Sequence, residues 1–267
     1  MNTAVSLGAT DYLLWVALPY VAFVSLIVGT ILRFRKNPYG VSTRSSISLE
    51  KKLLGIGAPL FHIGLACVLA GHVVGLLIPE SWTSAFGITE EAYHLGAMVM
   101  GMGAAVIMVV GLVILVIRRV GNVAVWQSTT TMDKVMYVIL LVVLAAGIFA
   151  TLKTQVFGGS GYNYRETISP WLRSLFYFQP QPELMATVPT TFKVHITVVM
   201  VLFVLWPLTR LVHAMALPLS YLVRPYEVYR SADRGVGARA VRPGWGATRF
   251  SRNVKPEGLV TPHTKDQ

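Results

Sequence analysis

The chain of 267 residues carries 23 lysines and arginines against 12 aspartates and glutamates, a formal net charge of +11, yet 54% of it is hydrophobic and only 13% is charged. With a mean hydropathy of +0.59, this balance excludes an ordinary soluble domain and identifies an integral membrane protein. The positive excess lies in loops and a tail flanking apolar segments, where it orients the chain and meets anionic lipid. No basic motif with an aromatic reading surface accompanies it, so nucleic acid is not an expected partner.

Five apolar segments, at approximately 12–33, 53–78, 95–117, 134–153 and 194–217, are long enough to cross a hydrocarbon core that needs roughly 20 helical residues. The expected fold is therefore all-α, a polytopic membrane protein with five transmembrane helices. The first segment lacks a basic region before it and is followed by Arg33, Arg35 and Lys36, the pattern of a retained span rather than a signal peptide. Loop 33–52 holds Arg33, Arg35, Lys36, Arg44, Lys51 and Lys52 against Glu50 alone. Loop 79–94 holds Glu80, Glu90 and Glu91 with no lysine or arginine, whereas loop 118–134 is again basic with Arg118, Arg119 and Lys134. Because Lys and Arg accumulate on the cytoplasmic side, the N-terminus is expected outside and the C-terminus in the cytoplasm.

The long segment 154–193 is too polar to span and mixes Arg165, Arg173 and Lys193 with acids. It carries Trp171, Phe176, Tyr177 and Phe178, the composition of a short interfacial helix. After the fifth segment the chain is rich in arginine. Residues 231–267, with Gly, Pro and Arg but few large aliphatics, read as an extended basic cytoplasmic tail attached to a membrane domain of residues 1–230.

Four histidines lie inside apolar spans, His62 and His72 in PLFHIGLACVLAGHVVGLL and His195 and His213 in FKVHITVVMVLFVLWPLTRLVH. Ionisable rings at membrane depth are costly, so each marks a functional hypothesis. Two spans with two histidines each suit the axial ligands of two stacked b-type haems; a proton or ion path and plain packing are the other readings. The single cysteine, Cys67, rules out an intrachain disulfide, a CxxCH haem attachment and an iron–sulfur site within the chain. Electrons leaving through iron–sulfur clusters would need a partner.

Opposite span directions pair His72 with His195 toward the outside and His62 with His213 toward the inside. At about 1.5 Å per residue, the ten-residue separation in the second span gives roughly 15 Å and the eighteen-residue separation in the fifth roughly 27 Å. The two do not match; helix tilt and a kink at Pro207 would absorb part of the difference. At about 100° per residue His195 and His213 fall on one face. Gly57, Gly64, Gly71 and Gly75 leave room along the second span for a flat macrocycle or for close helix packing.

The residues LFHIG with GHVVGLLIP, STTTMD ahead of the fourth span, and HITVVMVLFVLWPLTRLVHAMALPLSYLVRPYEV resemble the cytochrome b gamma subunit of membrane-bound respiratory nitrate reductases, from the first span through Arg230. The resemblance implies a quinol-oxidising anchor in the cell membrane. His62 and His213 would ligate an inner haem b, and His72 and His195 an outer haem b. Electrons would pass to an iron–sulfur beta subunit and then to a molybdenum-containing alpha subunit that reduces nitrate. Gly71 and His72 match family positions beside the quinol site. The family's basic residue just before the third span is absent from EEAYHLGAM, so Tyr93 or His94 stands in as the hydrogen-bonding group.

Arg210, three residues before His213, suits bidentate recognition of a haem propionate, or equally the anchoring of an inner helix end. Loop 33–52 and the segment after Tyr221 are the expected docking surface for cytoplasmic partners. Two rivals stand beside this reading. One is a cytochrome b anchor for a sulfur-compound or heterodisulfide-type reductase. The other is a haem-free proton-conducting subunit, disfavoured by the absence of inverted repeats and interrupted half-helices.

Overall fold

The computed structural model describes residues 7–37, 40–41, 45–158 and 162–216. The chain divides into a unit Met1–Leu217 and a unit Pro218–Gln267. The expected tail 231–267, the segment after Tyr221 and Arg44 lie outside the described residues. Among the described residues all regular structure is helical. Five helices are long and apolar enough to cross a membrane: Ala9–Lys36, Lys52–Leu77, Glu90–Gly121, Thr131–Thr154 and Thr190–Leu208.

Local chemistry sets the helix ends. The third span starts at Glu90 because the Thr89 hydroxyl accepts the Ala92 N–H, with Glu90 and Glu91 in the first turn and Arg118 and Arg119 in the last. Acids at the N-terminus and bases at the C-terminus both complement the helix dipole. The fourth span opens with a capping box, in which Thr130 Oγ1 accepts the Asp133 N–H and Asp133 Oδ2 accepts the Thr130 N–H.

The fifth span departs from the expected helix over 194–217. Its α-helical part ends at Leu205, followed by a 3-10 turn Trp206–Leu208, an extended Thr209 (φ −103°, ψ 180°) and a second 3-10 turn Arg210–Met215. Pro207 cannot donate to the carbonyl one turn back and crowds it, which ends the α-helix. The proline is seated against the first span, where a Cβ on Gly29 would meet Pro207 Cγ at 2.6 Å. His213 therefore stands on a separate turn, and its face relative to His195 is not set by α-helical periodicity.

The second and third spans pack along their length. They approach closely where glycine replaces a side chain: a Cβ on Gly64 would lie 2.5 Å from the Met108 backbone nitrogen, and one on Gly111 would collide with the Phe61 backbone. Phe61, Met108, Leu112, Leu140 and Leu144 form the core shared with the fourth span. A second core joins Trp15 and Ala22 of the first span to Met200 of the fifth through Ile168, Trp171 and Leu175.

Those last three residues belong to a helix at Ile168–Phe176, within the segment expected to hold an interfacial helix. It docks more firmly than a surface helix would. Trp171 is 1% exposed, donates its indole N–H to Trp15 O and stacks edge-on against the Trp15 ring. Ser169 and Arg173 donate to Leu76 O, using a carbonyl the second span leaves open at its C-terminus. Phe176, Tyr177 and Phe178 project outward, as aromatic residues of a membrane-interface belt do.

Candidate functional site

The four span histidines meet in two pairs. The ring centres of His62 and His213 are 6.3 Å apart, and those of His72 and His195 are also 6.3 Å apart. Both pairs meet although ten residues separate the histidines of the second span and eighteen those of the fifth; the fifth span leaves the regular α-helical path after Leu205, so the separation of His195 and His213 is not the α-helical rise of eighteen residues.

Each ring is oriented by the main chain. Nδ1 lies 2.7 Å from Ala58 O in His62, 2.8 Å from Val68 O in His72, 3.2 Å from Val143 O in His195 and 2.5 Å from Arg210 O in His213. A carbonyl can only accept, so Nδ1 carries the proton in every case and Nε2 of the neutral ring keeps its lone pair. That is the tautomer a metal-ligating imidazole needs. Two metal–nitrogen bonds of about 2 Å, plus about 1.2 Å from each nitrogen to its ring centre, separate two ring centres by roughly 6.4 Å. Among the described residues no group of three or more His, Cys, Asp or Glu side chains is placed to hold a metal ion, so each pair offers two protein ligands and suits a metal whose other positions are filled by a macrocycle.

Residues beyond the histidines shape both pairs. A Cβ on Gly147 of the fourth span would lie 2.8 Å from His195 Cε1, so only glycine leaves the ring its place. Of the glycines expected to make room on the second span, Gly57 and Gly64 are spent on packing against the third, and Gly75 faces the Tyr164 and Tyr93 hydroxyls; nothing lies within 4 Å of a Cβ on Gly71. Arg210 forms a fork with Asp133 of the fourth span, Nε to Oδ1 at 2.5 Å and Nη2 to Oδ2 at 2.7 Å. Asp133 is 2% exposed. Asp133 closes the STTTMD segment, but neither its partner nor that of Gly147 is evident in sequence, where 77 residues separate Asp133 from Arg210 and 48 separate Gly147 from His195.

The family described as nitrate reductase gamma subunit matches residues 11–232, the region containing both pairs. The chain belongs to that family. It is 41% identical over 218 residues to the nitrate reductase gamma chain of Bacillus subtilis, covering 82% of this chain and 97% of the relative. Identity to the respiratory nitrate reductase 2 gamma chain of Escherichia coli is 31% over 214 residues, 80% of this chain and 93% of the relative. The nitrate reductase-like protein NarX of Mycobacterium tuberculosis is 44% identical over 233 residues, 87% of this chain; this chain spans only 36% of that longer relative.

In this gamma-family chain a polar cluster lies at the end of the bundle bearing residues 78–89, beyond the His72–His195 pair. Arg165, 4% exposed, donates to Glu90 Oε2 and Thr83 Oγ1, both at 3.0 Å, and its guanidinium lies 4.0 Å from the centre of the Tyr93 ring. The Tyr93 and Tyr164 hydroxyls are 3.4 Å apart over Gly75, one turn past His72. His94 Nε2 is 3.3 Å from Glu90 Oε1. Burial pushes the Tyr164 phenol up, reinforced by the Tyr93 hydroxyl beside it, so it stays protonated and able to donate. Tyr93 and His94, both singled out in the sequence, thus join Arg165 and Tyr164, which were not.

At the opposite end, Arg118 is 2% exposed and ties the segment before the second span to the third. It donates to Glu50 Oε2 at 2.6 Å and to the Ser46 and Glu50 carbonyls. This holds Ser46 and Glu50, just before the second span, in place.

Proposed function

We propose that the chain is the quinol-oxidising dihaem cytochrome b subunit of a respiratory nitrate reductase, with its N-terminus outside and its C-terminus in the cytoplasm. The two histidine pairs carry the proposal: four Nε2 lone pairs, each fixed by an Nδ1–H bond to a carbonyl, at a pair spacing that suits one iron per pair. His62 and His213 would hold an inner haem b, and His72 and His195 an outer one. Bound there, haem supplies reversible one-electron chemistry, with a potential tuned by burial and ligand hydrogen bonds. Arg210 is the proposed cationic partner of an inner haem propionate.

Quinol binds beside the outer pair, where Gly71 leaves open space and Tyr93 and His94 offer hydrogen bonds to its oxygens. Two protons are released on the outer side while the chain carries two electrons inward to an iron–sulfur beta subunit, which passes them to a molybdenum-containing alpha subunit for nitrate reduction. Each charge moved across 100 mV stores about 2.3 kcal/mol without a proton pump. Loop 33–52, in which Arg118 holds Ser46 and Glu50, is the proposed surface for the cytoplasmic partners in the cell membrane.

The test is a reduced-minus-oxidised absorption spectrum of the purified full chain, with haem quantified per polypeptide. Two b haems per chain are expected, with one lost in His62→Ala and the other in His72→Ala. A folded preparation made with ample haem and containing none would overturn the reading.

A further inference from the structure

The two histidine pairs are built differently on the fifth span. His195 rides the α-helix Thr190–Leu205, so intrahelical bonds hold its backbone. His213 stands past the Pro207 break, on the 3-10 turn Arg210–Met215, and no continuous helix fixes where that turn lies. Contacts from its own residues help to fix it instead. Thr209 Oγ1 accepts the Leu211 N–H, Val212 is fully buried, and the Arg210 guanidinium forks onto Asp133. The last ties the turn by a polar side-chain fork to the fourth span.

Arg210 serves twice in this arrangement. Its side chain is held by Asp133, while its own carbonyl accepts the Nδ1–H of His213 at 2.5 Å. Asp133 is immobile in turn: it is buried, and the Thr130 N–H donates to Oδ2 at 2.9 Å within the capping box. A bidentate carboxylate–guanidinium pair fixes direction as well as distance. The carbonyl that orients His213 is therefore placed by a carboxylate on a different helix.

We propose that Asp133 is a positioning residue for the inner haem ligand, setting the orientation of His213 through Arg210. This rests on the dihaem reading above. Ligand orientation and the hydrogen bond at Nδ1 tune a metal site, so a change at Asp133 reaches the inner iron and leaves the outer one alone.

The experiment is a redox titration of the full chain in membranes, with low-spin EPR signals of each haem, on wild type, Asp133→Asn, Asp133→Glu and Arg210→Lys. The inner component is identified as the one missing in His62→Ala. Asp133→Asn is expected to retain two haems, to shift the midpoint potential and EPR position of the inner one, and to leave the outer one unchanged. Arg210→Lys keeps the charge but loses the fork, and is expected to shift the same component. Asp133→Glu is expected to restore it in part, which a loss of general stability would not do. Unchanged potentials and signals in Asp133→Asn and Arg210→Lys, or a shift confined to the outer component, would overturn the proposal. Should Asp133→Asn fail to fold, Arg210→Lys and Asp133→Glu decide it on the same readout. A wild-type chain without haem would instead defeat the dihaem reading itself.

Discussion

Replacing Gly147 by alanine tests the outer pair by steric means alone. The new Cβ would sit 2.8 Å from Cε1, 3.2 Å from Nδ1 and 3.4 Å from Nε2 of His195. Carbon–carbon contacts are comfortable at about 3.5–4.0 Å, so the ring must retreat by roughly 0.7 Å or more, or the fourth and fifth spans must part. Overpacking of this kind costs about 1–3 kcal/mol, and displacing the ring also endangers the 3.2 Å Nδ1–H bond to Val143 O, worth about 0.5–1.5 kcal/mol. The sum, roughly 1.5–4.5 kcal/mol, corresponds to a ten-fold to thousand-fold weaker retention of a group held by that ring. Haem per polypeptide is expected to fall from two toward one, with the surviving component the one lost in His62→Ala. Gly121→Ala, where nothing lies within 4 Å of the new methyl, serves as the control. Two full haems with unaltered potentials in Gly147→Ala would refute the steric argument.

Three further outcomes follow from other contacts. Arg165→Ala leaves Glu90 and Thr83 without a guanidinium that is itself buried, and is expected to destabilise the detergent-purified chain by about 2–4 kcal/mol, read as a lowered thermal midpoint; an unchanged midpoint would show the cluster to be incidental. Gly111→Val forces a side chain into the Phe61 backbone and is expected to prevent the second and third spans from packing, with haem content falling and aggregation appearing on size exclusion. The Leu53 N–H, aided by Arg118, holds the Glu50 carboxyl below its ordinary value against the opposing effect of burial. A depressed folded-state pKa contributes stability above the unfolded value, and that stability is lost as pH falls through the folded one. Amide exchange at Leu53 and Leu54 is therefore expected to accelerate in wild type as pH drops through the acid range, after correction for intrinsic rates. Glu50→Gln, whose amide oxygen still accepts but does not titrate, is expected to show no such acceleration; parallel profiles would contradict the assignment.

The five spans were legible because uninterrupted apolar length is a strong signal, and the histidine pairing followed from span direction alone. The end of the fifth span was less legible. Hydropathy continues through WPLTRLVHAMAL, so the pattern points to a helix reaching 217, whereas Pro207 and Thr209 redirect the backbone. A proline inside an apolar run signals a kink, but its depth depends on what the ring packs against, here Gly29 some 178 residues earlier. The same distance problem hid the partners of Asp133, Gly147 and Arg165. Each acquires its role from a partner on another element: Arg165 reads in sequence as one ambiguous loop charge, and in the fold it bridges Glu90, Thr83 and Tyr93.

The anchoring of all four imidazoles on peptide oxygens has an evolutionary consequence. Every amino acid supplies a carbonyl, so the side chains at Ala58, Val68, Val143 and Arg210 can drift without deleting the acceptor that orients the neighbouring ring. A mutational scan is expected to report the histidines as intolerant and their acceptors as largely silent, although the proposed ligation needs both. Arg210 is the exception, because its side chain positions the segment its carbonyl belongs to. Variation at the other three positions is filtered only by helix geometry and packing, which leaves the protein free to retune the surroundings of each ring while keeping its proton on Nδ1.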